Sequence, residues 1–329
     1  MSEKQTIFML SIDGGGVRGI IPALILQAIS DELNQKPLYK YFDLVAGTST
    51  GALISLLLSA PKLKNYTYRN RAKLIVDLYE QQSHLIFDQS RQTLKKISQL
   101  FKPKYNPTTF EAILEEYFQD LTLHDSLTNL IIPVFDMHKM KPFFFKHRPN
   151  FLYNESDLNF YLKDVALAST SAPTYFPPHY ITPTNGYNSY CFVDGGLYAN
   201  NPSLCAYTEA RKIYPEAKEY ICLSIGTGKV EKSFLCKDVR NWGLVGWVNP
   251  FNRVPLVSSF MYSQEESVNH MLSRIPKSKL YRLNPTIYEN ISDLDNASVE
   301  NINQLKELTL KYIEDNKAFI KKIADKLSQ

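Results

Sequence analysis

The sequence predicts an α/β fold of three layers, with a central, mainly parallel sheet covered by helices on both faces. Three observations lead there. The first sixty residues read strand, loop, helix, strand, turn, helix, the order of a parallel α/β sheet. The strands are short apolar runs, as expected where both faces are covered. Glycine is scarce (13 in 329 residues), yet eight of the thirteen fall into three short clusters, at 14–19, 47–51 and 195–196. A chain this sparing with glycine should place it where backbone needs φ > 0 or close approach.

Taken in order, Ile7–Asp13 reads as a buried strand ending in glycine. Ile20–Gln35 carries Leu24, Ile25, Ala28, Ile29 and Leu33 at helical spacing. Phe42–Ala46 is a second strand and Thr50–Ala60 an apolar helix. Residues 61–128 show no strand pattern; Arg69–Phe87 and Thr108–Gln119 read as helices with a basic stretch between them. Asn129–Asp136 and Pro142–His147 form a hairpin, and Leu158–Ser169 a helix. Cys191–Asp194 closes a strand, Pro202–Ile213 is a helix with proline in its first turn, and Tyr220–Ser224 is a strand ending near Gly226 and Gly228. Residues 294–328 form charged amphipathic helices. No repeat, linker or boundary interrupts the chain, so one domain over 1–329 is expected, with the helices at about 294–328 packed on it.

Composition narrows the function. With 44% apolar and 21% charged residues, a sizeable core is available and disorder is not expected. The net charge of +4 is too mild to argue for nucleic acid, though it suits loose attraction to an anionic membrane. Cys191, Cys205, Cys222 and Cys236 show neither a CxxC pair nor metal-ligand spacing; Cys205 and Cys222 read as buried thiols in a reducing setting. The first apolar stretch is too short for a signal peptide, and no run approaches the ~20 residues that span a bilayer. A soluble, cytoplasmic protein with transient membrane-surface association is expected.

The first glycine cluster, Asp13-Gly14-Gly15-Gly16-Val17-Arg18-Gly19, lies between a strand and a helix N-terminus. Free backbone N–H groups there favour an anion, either a phosphate or a transition-state oxyanion. The spacing also fits the dinucleotide fingerprint, which needs an acid at the end of the second strand. Asp43 is the nearby acid, and it precedes that strand. The second cluster, Gly47-Thr48-Ser49-Thr50-Gly51, is a G-x-S-x-G between strand and helix, the setting of an exposed serine nucleophile. The alternative is a capping Ser or Thr. The third, Asp194-Gly195-Gly196, offers a carboxylate at a strand end, which is either a base for Ser49 or a plain turn. A histidine triad is poorly supported: His84, His124, His138, His147 and His179 precede Asp194, and His270 falls in the apparent helix Gln264–Leu272.

Together, DGGGVRG at 13–19, GTSTG at 47–51 and DGGLYANNP at 194–202 resemble the patatin-like phospholipase family. Residues 168–178, Ser224–Gly228 and the stretch from Asn241 through Trp247 add to the resemblance, which covers nearly the whole chain. It implies a fold related in style to the α/β-hydrolases and a lipid acyl hydrolase of phospholipase A or lysophospholipase type. Ser49 is then the nucleophile and Asp194 its base, with Gly14, Gly15, Gly16 and Arg18 at the oxyanion hole. Gly47, Gly51, Gly195 and Gly196 support the motifs. No metal or cofactor is implied, and the partners are a phospholipid or other acyl lipid and a membrane surface, not nucleic acid. The competing reading is a storage or binding protein with incidental esterase activity.

Three stretches remain. Trp242, Leu244, Val245, Trp247, Val248, Phe251, Val254, Leu256 and Phe260 form either a lid or interfacial patch, or core packing behind the sheet. Arg91–Lys104 holds five basic residues and no acid, suiting anionic lipid or a solvated helix face. Lys139–Arg148 interleaves lysine with Phe143, Phe144 and Phe145, as expected of a hairpin with alternating buried rings.

Overall fold

Strand β1 (Thr6–Ile12) runs through the middle of an eight-stranded sheet and shows why the fold has three layers. Ile7 and Met9 enter one buried apolar cluster, while Leu10 and Ile12 enter the other. Successive side chains of a strand point to opposite faces, so both faces of β1 are dry and both must be covered by helices. The structure is a computed structural model and describes residues 4–63, 71–88, 90, 102–148, 158–230, 234–248 and 255–329.

On one side of β1 lie β2 (Leu44–Gly47), parallel to β1, and β3 (Asn129–Asp136), parallel to β2. On the other lie β7 (Glu219–Ile225) and β9 (Ser278–Leu283), again parallel. Beyond β3 the sheet turns antiparallel through β6 (Tyr190–Asp194) and β5 (His179–Ile181). The expected hairpin is present, with β4 (Lys141–His147) antiparallel to β3. Phe143 and Phe145 join an aromatic cluster with Phe160 and Phe192, while Phe144 meets Tyr198. The lysine-flanked rings therefore belong to the interior.

One register has consequences for everything that follows. Strand β4 pairs with β3 along Leu130–Asp136 and so occupies one whole edge of it. A strand has two edges, so β2 and β6 share the other. Strand β2 pairs with Asn129–Ile131, running parallel; β6 pairs with Val134–Asp136, running antiparallel. The C-terminal tips of β2 and β6 thus meet head to head along β3. Pro133 stands in the gap between the two pairings. Proline cannot donate to a ladder and is rare inside a sheet; here it occupies the place where the edge changes partner.

The larger apolar cluster is capped by α1 (Ile20–Glu32), α2 (Thr50–Ser59), α3 (Arg71–Ile86), α4 (Thr108–Phe118) and α5 (Leu162–Thr170). The C-terminal helices α8 (Val299–Asp315) and α9 (Lys317–Leu327) pack on α1 over the same face. The opposite face is covered by α6 (Ser203–Ile213) and the end of α7 (Pro255–Leu272). Strands β5 and β9 were not legible from apolar runs. In β9, Lys279 and Arg282 alternate with Leu280 and Leu283, and only Leu283 is fully buried. A small parallel pair, β8 (Lys229–Val230) with β10 (Thr286–Ile287), was likewise missed. Cys205 is half-buried rather than buried, and all four cysteines are free thiols.

At the handover point a Cβ added to Gly195 would collide with the carbonyl of Pro133, which is backbone and cannot swing aside. At Gly243 an added Cβ meets nothing. Gly195→Ala should therefore lower stability by about 1–3 kcal/mol, the usual cost of overpacking. Gly243→Ala should stay within about 0.5 kcal/mol of the parent. Urea unfolding of both variants checks the pair, and equal stabilities would contradict the tight approach of β6 to β3.

Candidate active site

Strand β2 ends at Gly47 and α2 begins at Thr50, which leaves two residues for the turn. Ser49 takes φ 56° and ψ −122°, a conformation that costs a non-glycine residue about 1–3 kcal/mol. Glycine on either side makes room. A Cβ at Gly47 would strike the Gly51 backbone, and one at Gly51 would strike the Ile12 and Asp13 carbonyls. Ser49 occupies the N-cap position of α2, yet its side chain makes no capping hydrogen bond. Its backbone N–H donates to Ser169 Oγ at 3.0 Å. The neighbouring Thr48 hydroxyl donates to the Ala199 carbonyl at 2.6 Å, while the Thr50 hydroxyl pairs with that of Tyr79. The side chain of Ser49 is left partly exposed among buried neighbours.

Asp194 ends β6 and is buried. The Ser49 side chain is hydrogen-bonded to its carboxyl, and the Gly196 N–H donates to Oδ1 at 2.7 Å. Burial pushes the carboxyl up to about 6, against the pull of these two donors. Its own backbone is fixed by an N–H bond to the Ser171 carbonyl and by pairing opposite Val134. The meeting of β2 and β6 along β3 is therefore what joins Ser49 to Asp194, although they are far apart in sequence.

The glycine loop after β1 closes the third side. Gly14 packs against Ser49 and Asn200 so tightly that a Cβ there would touch both. Its N–H donates to the Asn200 carbonyl at 3.0 Å, and its carbonyl accepts from Thr227 Oγ1 at 2.8 Å and Asn200 Nδ2 at 3.4 Å. Gly14 is thus tied at both its N–H and its carbonyl. The N–H groups of Gly15 and Gly16 enter no hydrogen bond formed among the described residues. Gly16 has φ 58°, the left-handed region that favours glycine. Arg18 is buried, with Nη1 donating to the Ser292 carbonyl at 3.4 Å and a further hydrogen bond to Tyr262. It braces the loop from behind, and burial draws its pKa down.

Beneath the loop lies an ionic assembly that the sequence did not announce. Arg282, on β9, donates to both oxygens of Asp13, to Ser224 Oγ and to Glu265. Asn284 also donates to Glu265. Asp13 is pushed up to about 6 by burial, held back by Arg282, so the pair is ionised at neutral pH. Asp43, the acid the dinucleotide fingerprint would need, lies at the wrong end of the sheet. Its carboxylate takes Lys4 and the Phe8 N–H at the start of β1 and β2.

Histidine is absent from this constellation. His270 is exposed and pairs with Arg274, His179 pairs with Asp164, and His147 is held down at about 4 by burial. No histidine contributes to the surroundings of Asp194. Among the described residues no group of three metal-ligating side chains occurs, and no helix is long and apolar enough to cross a membrane. Ser169, Asn200 and Thr227 lie within motif stretches but had no individual signal in sequence; Arg282 and Gln264 had none at all. Of the basic stretch at 91–104, residues 91–101 lie outside the described residues, as do Phe251 and Val254. Lys104 is buried and pairs with Asp295, so it faces no membrane. Within Leu244–Val248 no residue is buried, so that turn is not core packing behind the sheet.

Comparison with known proteins gives the family of the chain. The model of the patatin-like phospholipase family matches residues 10–206. Patatin-like protein 2 of Arabidopsis thaliana is 32% identical over 331 residues, covering 91% of this chain and 81% of that one. Patatin-17 of Solanum cardiophyllum is 32% identical over 268 residues, covering 74% and 67%. The solved structure of VipD from Legionella pneumophila aligns with a TM-score of 0.40 and 14% identity over 94% of this chain and 67% of that one, too distant to add anything. On the family match and the identity to these relatives, the chain belongs to the patatin-like phospholipase family, a membership that supports lipid acyl hydrolase activity in general.

Proposed function

We propose that the protein cleaves carboxylic esters of membrane lipids, as a phospholipase A or lysophospholipase, through a Ser49–Asp194 dyad. The observation that carries this is the buried Asp194 carboxyl with Ser49 as its side-chain partner and no histidine beside it. Asp194, ionised, takes the Ser49 proton as Oγ attacks the ester carbonyl carbon. The negative oxygen that forms is received by the N–H groups of Gly15 and Gly16, each such donor worth roughly 3 kcal/mol of barrier. The intermediate collapses to an acyl-Ser49, and Asp194 returns its proton to the departing alcohol or lysolipid. Water then gives a proton to Asp194 and attacks the acyl carbon; Ser49 leaves and recovers that proton. Gly14 and Arg18 hold the loop in place without touching substrate. Since an acyl-lipid substrate lies in a bilayer, turnover takes place during transient contact with a membrane surface.

Ser49→Ala and Asp194→Asn should each reduce turnover of a soluble ester to background, whereas His270→Ala should retain it within about twofold. Full activity in Ser49→Ala, or loss in a folded His270→Ala, would overturn the dyad. Negligible turnover of every lipid by the parent protein would favour a storage or binding role.

The pH dependence has a definite sign. The base must be ionised, so kcat/KM should rise about tenfold per unit below pH 6 and level off above about 7, following a pKa near 6. Replacing Asp194 by Glu should move this limb, whereas His270→Ala should leave it in place. Stability runs the other way. A carboxyl whose folded pKa lies above its unfolded value of 3.8 favours folding at low pH and loses that contribution as pH rises through about 6. Asp194→Asn should therefore raise stability at pH 8 by roughly 1–3 kcal/mol and change it little at pH 4. Denaturant titrations at the two pH values give the comparison.

A further inference from the structure

We infer that the apolar face formed by Leu235, Leu244, Val245, Val248, Val257 and Phe260 is the surface on which the protein settles against an anionic lipid bilayer. This rests on the acyl-lipid reading above. Leu244 and Val245 are 77% and 79% exposed and Phe260 is 57% exposed. Scattered apolar residues on a surface are ordinary, but a contiguous group of this kind marks an interaction site. The turn Leu244–Val248 packs on α7, which carries Val257 and Phe260, and Leu235 follows Phe234, whose ring meets Trp242. Trp242 packs edge-on against both Trp247 and Phe234, forming an aromatic platform beneath the turn.

A bilayer is favoured over a protein partner by what surrounds the face and by where it leads. Lys237 and Arg240 are exposed and lie in the chain between Leu235 and Leu244, with Asp238 the one acid among them, so the stretch beside the apolar knobs is net cationic. Apolar side chains flanked by basic ones, with tryptophan at headgroup depth, suit an anionic interface. The face also continues into the site. Helix α7 packs on the turn Gly196–Ala199 that follows Asp194. From α7, one turn beyond Phe260, Gln264 donates to the Leu197 carbonyl at 2.9 Å and accepts from the Asn200 N–H at 3.1 Å. Asn200 in turn holds both the N–H and the carbonyl of Gly14. Leu197, which accepts from Gln264, is itself half exposed. A protein resting on this face sets the membrane against the helix that is hydrogen-bonded to the turn after Asp194.

The test separates docking from chemistry by using Ser49→Ala protein, which binds without hydrolysing. Sedimentation with vesicles of phosphatidylcholine containing phosphatidylglycerol should pellet it, and pure phosphatidylcholine should pellet less. Adding Leu244→Asp and Val245→Asp should cut partitioning at least tenfold. In the active background the same pair should lower vesicle hydrolysis in parallel, with soluble-ester turnover unchanged within twofold. A second pair, Val257→Asp with Phe260→Asp, should do the same, and circular dichroism checks that both remain folded. Wild-type partitioning by both folded pairs would overturn the inference. So would a dimer in solution that either pair splits into monomers while vesicle binding persists, since the face would then belong to a second copy. Failure of soluble-ester turnover in the parent would instead strike the proposed chemistry and leave the sedimentation result standing.

Discussion

The division of one edge of β3 between β2 and β6 is the constraint on which the site depends. A parallel strand and an antiparallel strand normally need separate edges. Here each uses part of the same one, so their C-terminal ends point at each other across Pro133. Nothing about Ser49 or Asp194 individually creates their contact; the pairing pattern does. It also explains why the carboxyl beside Ser49 sits on a strand tip and not on a late loop. The Asp194 backbone is held by strand pairing and by its N–H bond to the Ser171 carbonyl, and its carboxyl by the Gly196 N–H.

Two buried carboxyls in one small region show how surroundings divide roles between the same side-chain type. Asp13 and Asp194 follow apolar strands, lead into glycines and are both pushed up to about 6 by burial. Asp13 is gripped by Arg282, which is itself shared with Glu265. Removing either partner would strand a buried charge, so this pair behaves as framework. Among the described residues no cation pairs with Asp194, whose partners are a hydroxyl and an amide. A carboxylate supported so weakly is basic enough to accept a proton from Ser49 and costs the fold stability when ionised. The contrast leaves the loop after β1 tied by an ion pair and the carboxyl at the end of β6 held by neutral donors alone.

Much of this was legible in sequence, and what was not has identifiable causes. Strands β1, β2, β3, β6 and β7 declared themselves because burial on both faces demands continuous apolar runs. Strand β9 did not, because it lies outermost on its side of the sheet and alternates Lys279 and Arg282 with leucines. Arg282 was thereby lost to the sequence reading, although it anchors Asp13. The serine turn and the Asp-Gly-Gly end could be read as motifs, but their contact could not, since it follows from strand order. Gly14 was read as a donor because a free N–H at a helix start is the usual state. Only the position of Asn200, brought in by the turn after Asp194, reveals that this N–H is already used.

Glycine scarcity has a physical meaning more specific than flexibility. Among the clustered glycines Gly16 has a positive φ, while Gly14, Gly47, Gly51 and Gly195 have ordinary backbone angles. What those four share is a backbone or side-chain atom lying where a Cβ would go. Gly47 meets Gly51, Gly51 meets the end of β1, Gly195 meets Pro133, and Gly14 meets Asn200 and Ser49. They work as points of contact between strand ends rather than as hinges. The strained residue is instead Ser49, which keeps its side chain and takes the unfavourable conformation itself. The strain is sustained because the glycines on either side let the surrounding backbone close tightly enough to hold it.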